Sequence, residues 1–138
     1  MYSGSCLCGG VAFEIEGELE PIQMCHCSQC RKAQGTPFVT NTPVSAAVLR
    51  FVKGGELLSS FESSPGKQRV FCKVCGSPIY SKHVNVPGVF RIRAGLIDGD
   101  LNTSPAFHIY YDSKANWFKA NDDLPKFAGA RVEPATKV

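Results

Sequence analysis

The seven cysteines of this 138-residue chain fall into three groups whose internal spacing leaves few options for the fold. Cys6 and Cys8 stand as C-x-C, Cys25, Cys27 and Cys30 as C-x-C-x-x-C, and Cys72 and Cys75 as C-x-x-C followed by Gly76. Two thiolates this close can bite one ion from a tight turn, and four of them close a tetrahedral zinc site. Cys6/Cys8 is the one two-ligand unit outside the larger cluster, so it is the natural partner of Cys72/Cys75. That union ties the start of the chain to its middle across more than sixty residues. Such a closure is entropically costly without metal, so metal affinity becomes folding stability.

Cys25, Cys27 and Cys30 supply three thiolates and leave one coordination position for water or substrate. Three thiolates on a divalent zinc carry a net charge of about −1, a poor setting for activating water. The same setting suits a substrate thiol held as its thiolate, ready to attack a small electrophile such as a carbonyl carbon. Two other readings stand beside this one. One cysteine joins a structural site while the others are inert, or Cys27 and Cys30 form a redox C-x-x-C poised by the helix that follows. His26 has three possible roles: fourth ligand, hydrogen-bonding partner of the ligands, or proton shuttle. Its place between two ligands makes coordination to the same metal awkward and favours the hydrogen-bonding role. Arg31 either receives the carboxylate of an anionic thiol such as glutathione or lies on a solvated helix face. Lys32 reads as exposed, His83 as exposed and His108 as a hydrogen-bonded core residue.

Fifteen Lys/Arg against twelve Asp/Glu leave a net charge of +3. That is too mild for a nucleic-acid binder, which usually shows a domain pI above about 9 and a clustered basic face. No run of 18 apolar residues argues for a membrane span, and the first residues lack the basic and apolar regions of a secretory signal. An odd number of cysteines fits a disulfide framework poorly. The expectation is a cytoplasmic protein whose cysteines bind metal.

Apolar alternation predicts strands rather than helices. Val11, Phe13 and Ile15 point one way from Val11–Glu16, a strand closed by Gly17. Pro21–Met24 is expected to run extended into the cysteine cluster, and Ser28–Gln34 to form a helical turn or two stopped by Gly35 and Pro37. Further strands are expected at Phe38–Thr42, Val48–Val52, Leu57–Glu62, Gln68–Phe71, Pro78–Lys82, Val89–Ala94 and Ala106–Tyr111, with Gly- and Pro-rich turns between them. Val89–Ala94 puts Arg91 and Arg93 on one face and Phe90 and Ile92 on the other. Residues Ser113–Lys126 read as irregular, with Trp117 and Phe118 packed on the sheet, and 134–138 as a loose tail. The whole is one mainly β domain over 1–138, an antiparallel β-sandwich of short strands.

The segments Gly4-Ser5-Cys6-Leu7-Cys8-Gly9-Gly10-Val11, Cys25-His26-Cys27-Ser28-Gln29-Cys30-Arg31-Lys32 and Phe71-Cys72-Lys73-Val74-Cys75-Gly76-Ser77 resemble the glutathione-dependent formaldehyde-activating enzyme family. Phe107-His108-Ile109 with Ser113-Lys114-Ala115-Asn116-Trp117 is similar to that family's C-terminal signature, so the resemblance spans about residues 3–127. It implies an Mss4-like β fold with two zinc sites. Cys6, Cys8, Cys72 and Cys75 would hold the structural zinc, and Cys25, Cys27 and Cys30 the catalytic one. The implied activity is that of a carbon–sulfur lyase, joining glutathione and formaldehyde into S-(hydroxymethyl)glutathione. The alternative is a non-catalytic, zinc-stabilised module that binds protein or nucleic acid. A binding module has no use for an open three-cysteine set, and this chain has one.

Overall fold

Alternating Phe13 and Ile15 with Ala12 and Glu14 yields a strand, β2 (Ala12–Ile15), whose two apolar side chains are buried. It is the middle of a three-stranded antiparallel sheet, between β1 (Tyr2–Ser5) and β5 (Leu49–Lys53). The computed structural model describes residues 1–131, and the tail expected at 134–138 lies outside the described residues. A second sheet has seven strands: β3 (Ile22–Cys25), β4 (Val39–Ser45), β6 (Leu58–Ser64), β7 (Lys67–Cys72), β8 (Pro78–His83), β9 (Val89–Arg93) and β10 (Pro105–Ile109). Their order across the sheet is β10-β3-β4-β9-β8-β7-β6. One short helix, α1 (Ser28–Gln34), follows β3 and ends on Gly35 in the left-handed conformation, φ +65°. Glycine is the residue that adopts this cap without strain.

Every expected strand appears, within a few residues of its predicted ends. Two features were not expected. The strand β1 lacks apolar alternation and is held by pairing with β2; a Cβ on Gly4 would come within 2.5 Å of the Phe13 ring and of the Leu96 carbonyl oxygen. The sheet is also not wholly antiparallel, since β10 runs parallel to β3, with His108 beside Met24 and Ile109 beside Cys25. The segment after β9 carries the chain back over the sheet, so that β10 enters in the same direction as β3.

The seven-stranded sheet has two unlike faces, because side chains alternate along each strand. Val44, Val70, Tyr80 and Ile92 join Phe13, Ile15 and Val11 in the main core, and Phe51 meets Tyr80 across the two sheets with ring centroids 5.9 Å apart. Burial of this kind stabilises by about 25 cal/mol per Å² of apolar surface, the dominant favourable term here. The opposite face carries Gln23, Cys25, Asn41, Arg93, Arg91, Ser81, Arg69 and Lys67, brought side by side by the registers of β3, β4, β9, β8 and β7. A smaller cluster of Cys25, Cys30, Val39, Phe107 and Ile109 seats α1 and β10 at one end of that face.

Residues Ser113–Lys126 are irregular, as expected, but the two aromatics there part company. Phe118 packs on Phe38 and His26, whereas Trp117 is 70% exposed and does not pack on the sheet. Among the described residues no helix is long and apolar enough to cross a membrane.

Candidate metal centres and the cavity beside them

The turns after β1 and β7 bring Cys6, Cys8, Cys72 and Cys75 together, with all four sulfurs within 4.8 Å of one another. Measured pairs are 3.5 Å for Cys6–Cys8 and 3.9 Å for Cys8–Cys72. A tetrahedron of sulfurs about 2.3 Å from a zinc ion has edges of about 3.8 Å, so the set fits that ion. Backbone amides support it: Val11 N donates to Cys6 Sγ at 3.3 Å and Gly10 N to Cys8 Sγ at 3.4 Å. Gly76, at φ +79°, closes the second turn with its N–H on the Cys72 carbonyl oxygen. Hydrogen bonding to Ser77, whose hydroxyl lies 3.2 Å from Cys75 Sγ, draws that thiol down to about 5. A second link between the turns is Leu7 N donating to Ser77 Oγ at 3.0 Å.

The second set is built locally. Cys25 ends β3, Cys27 caps α1 by accepting from Cys30 N at 3.3 Å, and Cys30 faces back from the first turn of the helix. Cys30 Sγ lies 3.2 Å from Cys25 Sγ, and all three sulfurs lie within 4.8 Å of one another. Hydrogen bonding with Cys27, then with Cys30, pushes the Cys25 thiol far up. The same contacts, Cys25 first and Cys30 next, pull Cys27 well below the ordinary thiol range, and the Arg69 guanidinium adds to this. Three soft sulfur donors gathered this closely suit a thiophilic ion such as zinc and would hold it from one side.

These sulfurs line a cavity of about 590 Å³, within the range of small-molecule sites. Its other walls include Gln23, Asn41, Ser81, Lys67, Arg69, Arg91 and Arg93. Arg93 is only 6% exposed, and its Nη1 donates to Ser81 Oγ at 3.4 Å. Burial lowers its guanidinium to about 10, and burial followed by the nearby Arg69 also lowers Lys67. Arg69 reaches the three-sulfur set itself, with Nη2 3.7 Å from Cys30 Sγ. Gln23 Nε2 donates to Asn41 Oδ1 at 2.7 Å and fixes the floor between β3 and β4.

His26 takes no part in this cavity. It is wholly buried among Phe38, Tyr111 and Phe118, with its Nε2 2.8 Å from Nδ1 of His108. His108 Nε2 in turn lies 3.0 Å and 3.2 Å from the two carboxylate oxygens of Asp122. A carboxylate accepts only, so His108 donates from Nε2 to Asp122. Burial, then the neighbouring His108, lowers His26 to about 4 and keeps it neutral. The hydrogen bond from His108 holds Asp122 at about 2. Sequence reasoning placed His108 in the core, as found, but gave Asp122 no role.

Arg31 is also absent from the cavity; its Nη2 donates to the Ser113 carbonyl oxygen at 3.3 Å. The cations that do line it were missed as site residues. Their signal was the alternation Lys67-Gln68-Arg69 and Arg91-Ile92-Arg93, which a strand ordinarily turns to solvent. His83, expected to be exposed, is half-buried and contributes to the same wall, its Nδ1 accepting from Asn85 N at 3.0 Å.

Comparison with known proteins follows the same lines. A family model described as glutathione-dependent formaldehyde-activating enzyme matches residues 1–113. A relative from Schizosaccharomyces pombe, named an uncharacterized lyase, is 28% identical over 117 residues, covering 85% of this chain and 83% of the relative. Among solved structures, a Rhodobacter sphaeroides protein superimposes with a TM-score of 0.61 at 22% identity, covering 74% of this chain and 98% of that one. This last likeness speaks for the fold.

Proposed function

The chain belongs to the glutathione-dependent formaldehyde-activating enzyme family, and on that premise we propose that it is a carbon–sulfur lyase acting on the adduct of a small thiol with a carbonyl compound. The leading candidate is the pair glutathione and formaldehyde, giving S-(hydroxymethyl)glutathione. One observation carries the reading: three adjacent sulfurs lie in the wall of a cavity large enough for a small molecule and lined with cations. The name of the S. pombe relative supports the reaction class.

In this reading Cys6, Cys8, Cys72 and Cys75 hold a structural zinc, and Cys25, Cys27 and Cys30 hold a second one facing the cavity. Bound there, zinc would supply a resting place for the substrate sulfur as its thiolate. In the synthetic direction that sulfur forms a bond to the carbonyl carbon. The C=O π pair moves onto oxygen, and the proton given up by the thiol ends there; lysis runs the same steps backwards. Lys67, Arg69, Arg91 and Arg93 draw in an anionic thiol and stabilise oxygen as it gains charge. Arg31, engaged with Ser113, leaves that work to them. His26 moves no proton of the substrate; with His108 it fixes the backbone between Cys25 and Cys27. All seven cysteines are free of disulfides, which suits a reducing, cytoplasmic setting.

The test is metal counting on protein purified without chelator, followed by titration with glutathione while sulfur–zinc coordination is followed by X-ray absorption. The expected result is two zinc ions per chain and a fourth sulfur added to one of them. If no small thiol perturbs either metal at millimolar concentration, the lyase reading fails and a zinc-stapled binding module takes its place.

A further inference from the structure

The charges around the three-sulfur set do not balance. Arg69 pairs across the sheet with Ser81, Ser81 with Arg91, and Arg93 with Asn41, so three guanidinium groups rise on the same face from β7 and β9, on either side of β8, with Lys67 two residues before Arg69. All four cations line the cavity together with a fifth, Arg131, whose guanidinium lies over the Phe107 ring at 4.7 Å, and among the described residues that line it there is no aspartate or glutamate. Arg69 Nη1 and Arg93 Nε are buried without a hydrogen-bond partner. Buried donors of this kind cost free energy unless something accepts from them. Three thiolates with a divalent ion offset one of the four positive charges, and the thiolate of a bound substrate offsets a second. Two of those four positive charges remain, with Arg131 beside them.

We infer that the thiol this site selects carries two acidic groups close to its sulfur and no ammonium group beside them, a class represented by mercapto-dicarboxylates. The inference rests on the thiol-binding reading above and narrows it. Each acid group replaces water on a guanidinium fork by charge-assisted hydrogen bonds, which planar arginines give to carboxylates in pairs. An ammonium placed among four cations meets only repulsion. Glutathione has the two carboxylates, but one of them shares its carbon with an ammonium, so it fits less well than a thiol with two acids and no amine.

The experiment compares dissociation constants on the zinc-loaded protein, by calorimetry, for mercaptosuccinate, 3-mercaptopropionate, 2-mercaptoethanol, cysteamine and glutathione. Affinity is expected to fall about tenfold with each acid group removed, in the order written for the first three. Cysteamine binds weakest, glutathione binds more weakly than mercaptosuccinate, and the gaps shrink at high salt because the field is screened. Arg69→Gln and Arg91→Gln should each weaken mercaptosuccinate about tenfold more than they weaken 2-mercaptoethanol, while circular dichroism and zinc content report that the variants are folded and metal-loaded. Equal affinity for all five thiols, or glutathione binding tighter than mercaptosuccinate, overturns the inference and leaves the thiol-binding reading standing. Binding of none overturns both.

Discussion

Around Cys6, Cys8, Cys72 and Cys75 the partners of the sulfurs are one another, backbone amides and a serine hydroxyl, in a site pinned between two turns. Around Cys25, Cys27 and Cys30 they are one another, a helix amide and the Arg69 guanidinium, beside a cavity. The first set joins segments far apart in sequence, while the second lies within six residues and joins nothing that α1 does not already join. The number of thiolates alone does not separate scaffold from chemistry. On the proposed reading span and surroundings do, and the two sets differ in both.

That contrast can be broken most directly at Cys72. If the proposed staple is right, replacing it with serine removes one of four ligands, a loss expected to exceed the whole stability of about 5–15 kcal/mol typical of a domain. The cooperative thermal transition followed by circular dichroism should vanish. Cys27→Ala should do the opposite: it removes a helix cap worth about 1 kcal/mol, so the transition persists, yet thiol binding and turnover disappear. The reverse pattern would mean that the scaffold and the working set have been exchanged. A smaller effect tests how tightly the staple is packed. A Cβ on Gly54 would approach the Gly10 carbonyl oxygen to 2.0 Å, and its φ of +80° is strained for any other residue. Gly54→Ala should cost about 2 kcal/mol or more in a urea titration and leave zinc content at the three-sulfur set unchanged.

The smallest effect concerns Asp122, which ties the irregular C-terminal segment to His108. Its folded pKa of about 2 lies below the ordinary carboxylate value of 3.8, so its stabilisation is present above that value and is lost as pH falls toward 2. Asp122→Asn should therefore lower the urea midpoint by a constant amount between pH 7 and about pH 4, the two proteins converging only below that. A gap that closes between pH 7 and pH 5 would assign the effect to a histidine instead.

The cysteine spacing was legible because metal ligation needs a local bite, and Ser28–Gln34 was legible because Gly35 ends it. Strand alternation showed Phe13, Ile15 and Ile92 turning inward. It did not show what the other face of β9 looks upon. Arg91 and Arg93 become site residues only through the pairing of β9 with β4 and β8, a long-range fact that no local pattern carries. Tyr2–Ser5 went unseen for a related reason: Gly4 is there to make room for the Phe13 ring, a requirement visible only once β2 is beside it. Trp117 shows the limit of reading an aromatic as buried by default, since its side chain stands in solvent while Phe118 does the packing.

The parallel partnership of β10 with β3 has a consequence for how the molecule assembles. Ile22 and Pro105 are neighbours in the sheet but 83 positions apart along the chain. Until the ribosome has delivered that late segment, the strand bearing Cys25 is a bare edge with its amides unpaired. Contacts of such long reach form late and slowly. A chain halted before residue 105 would therefore leave the strand that bears Cys25 without its outer neighbour.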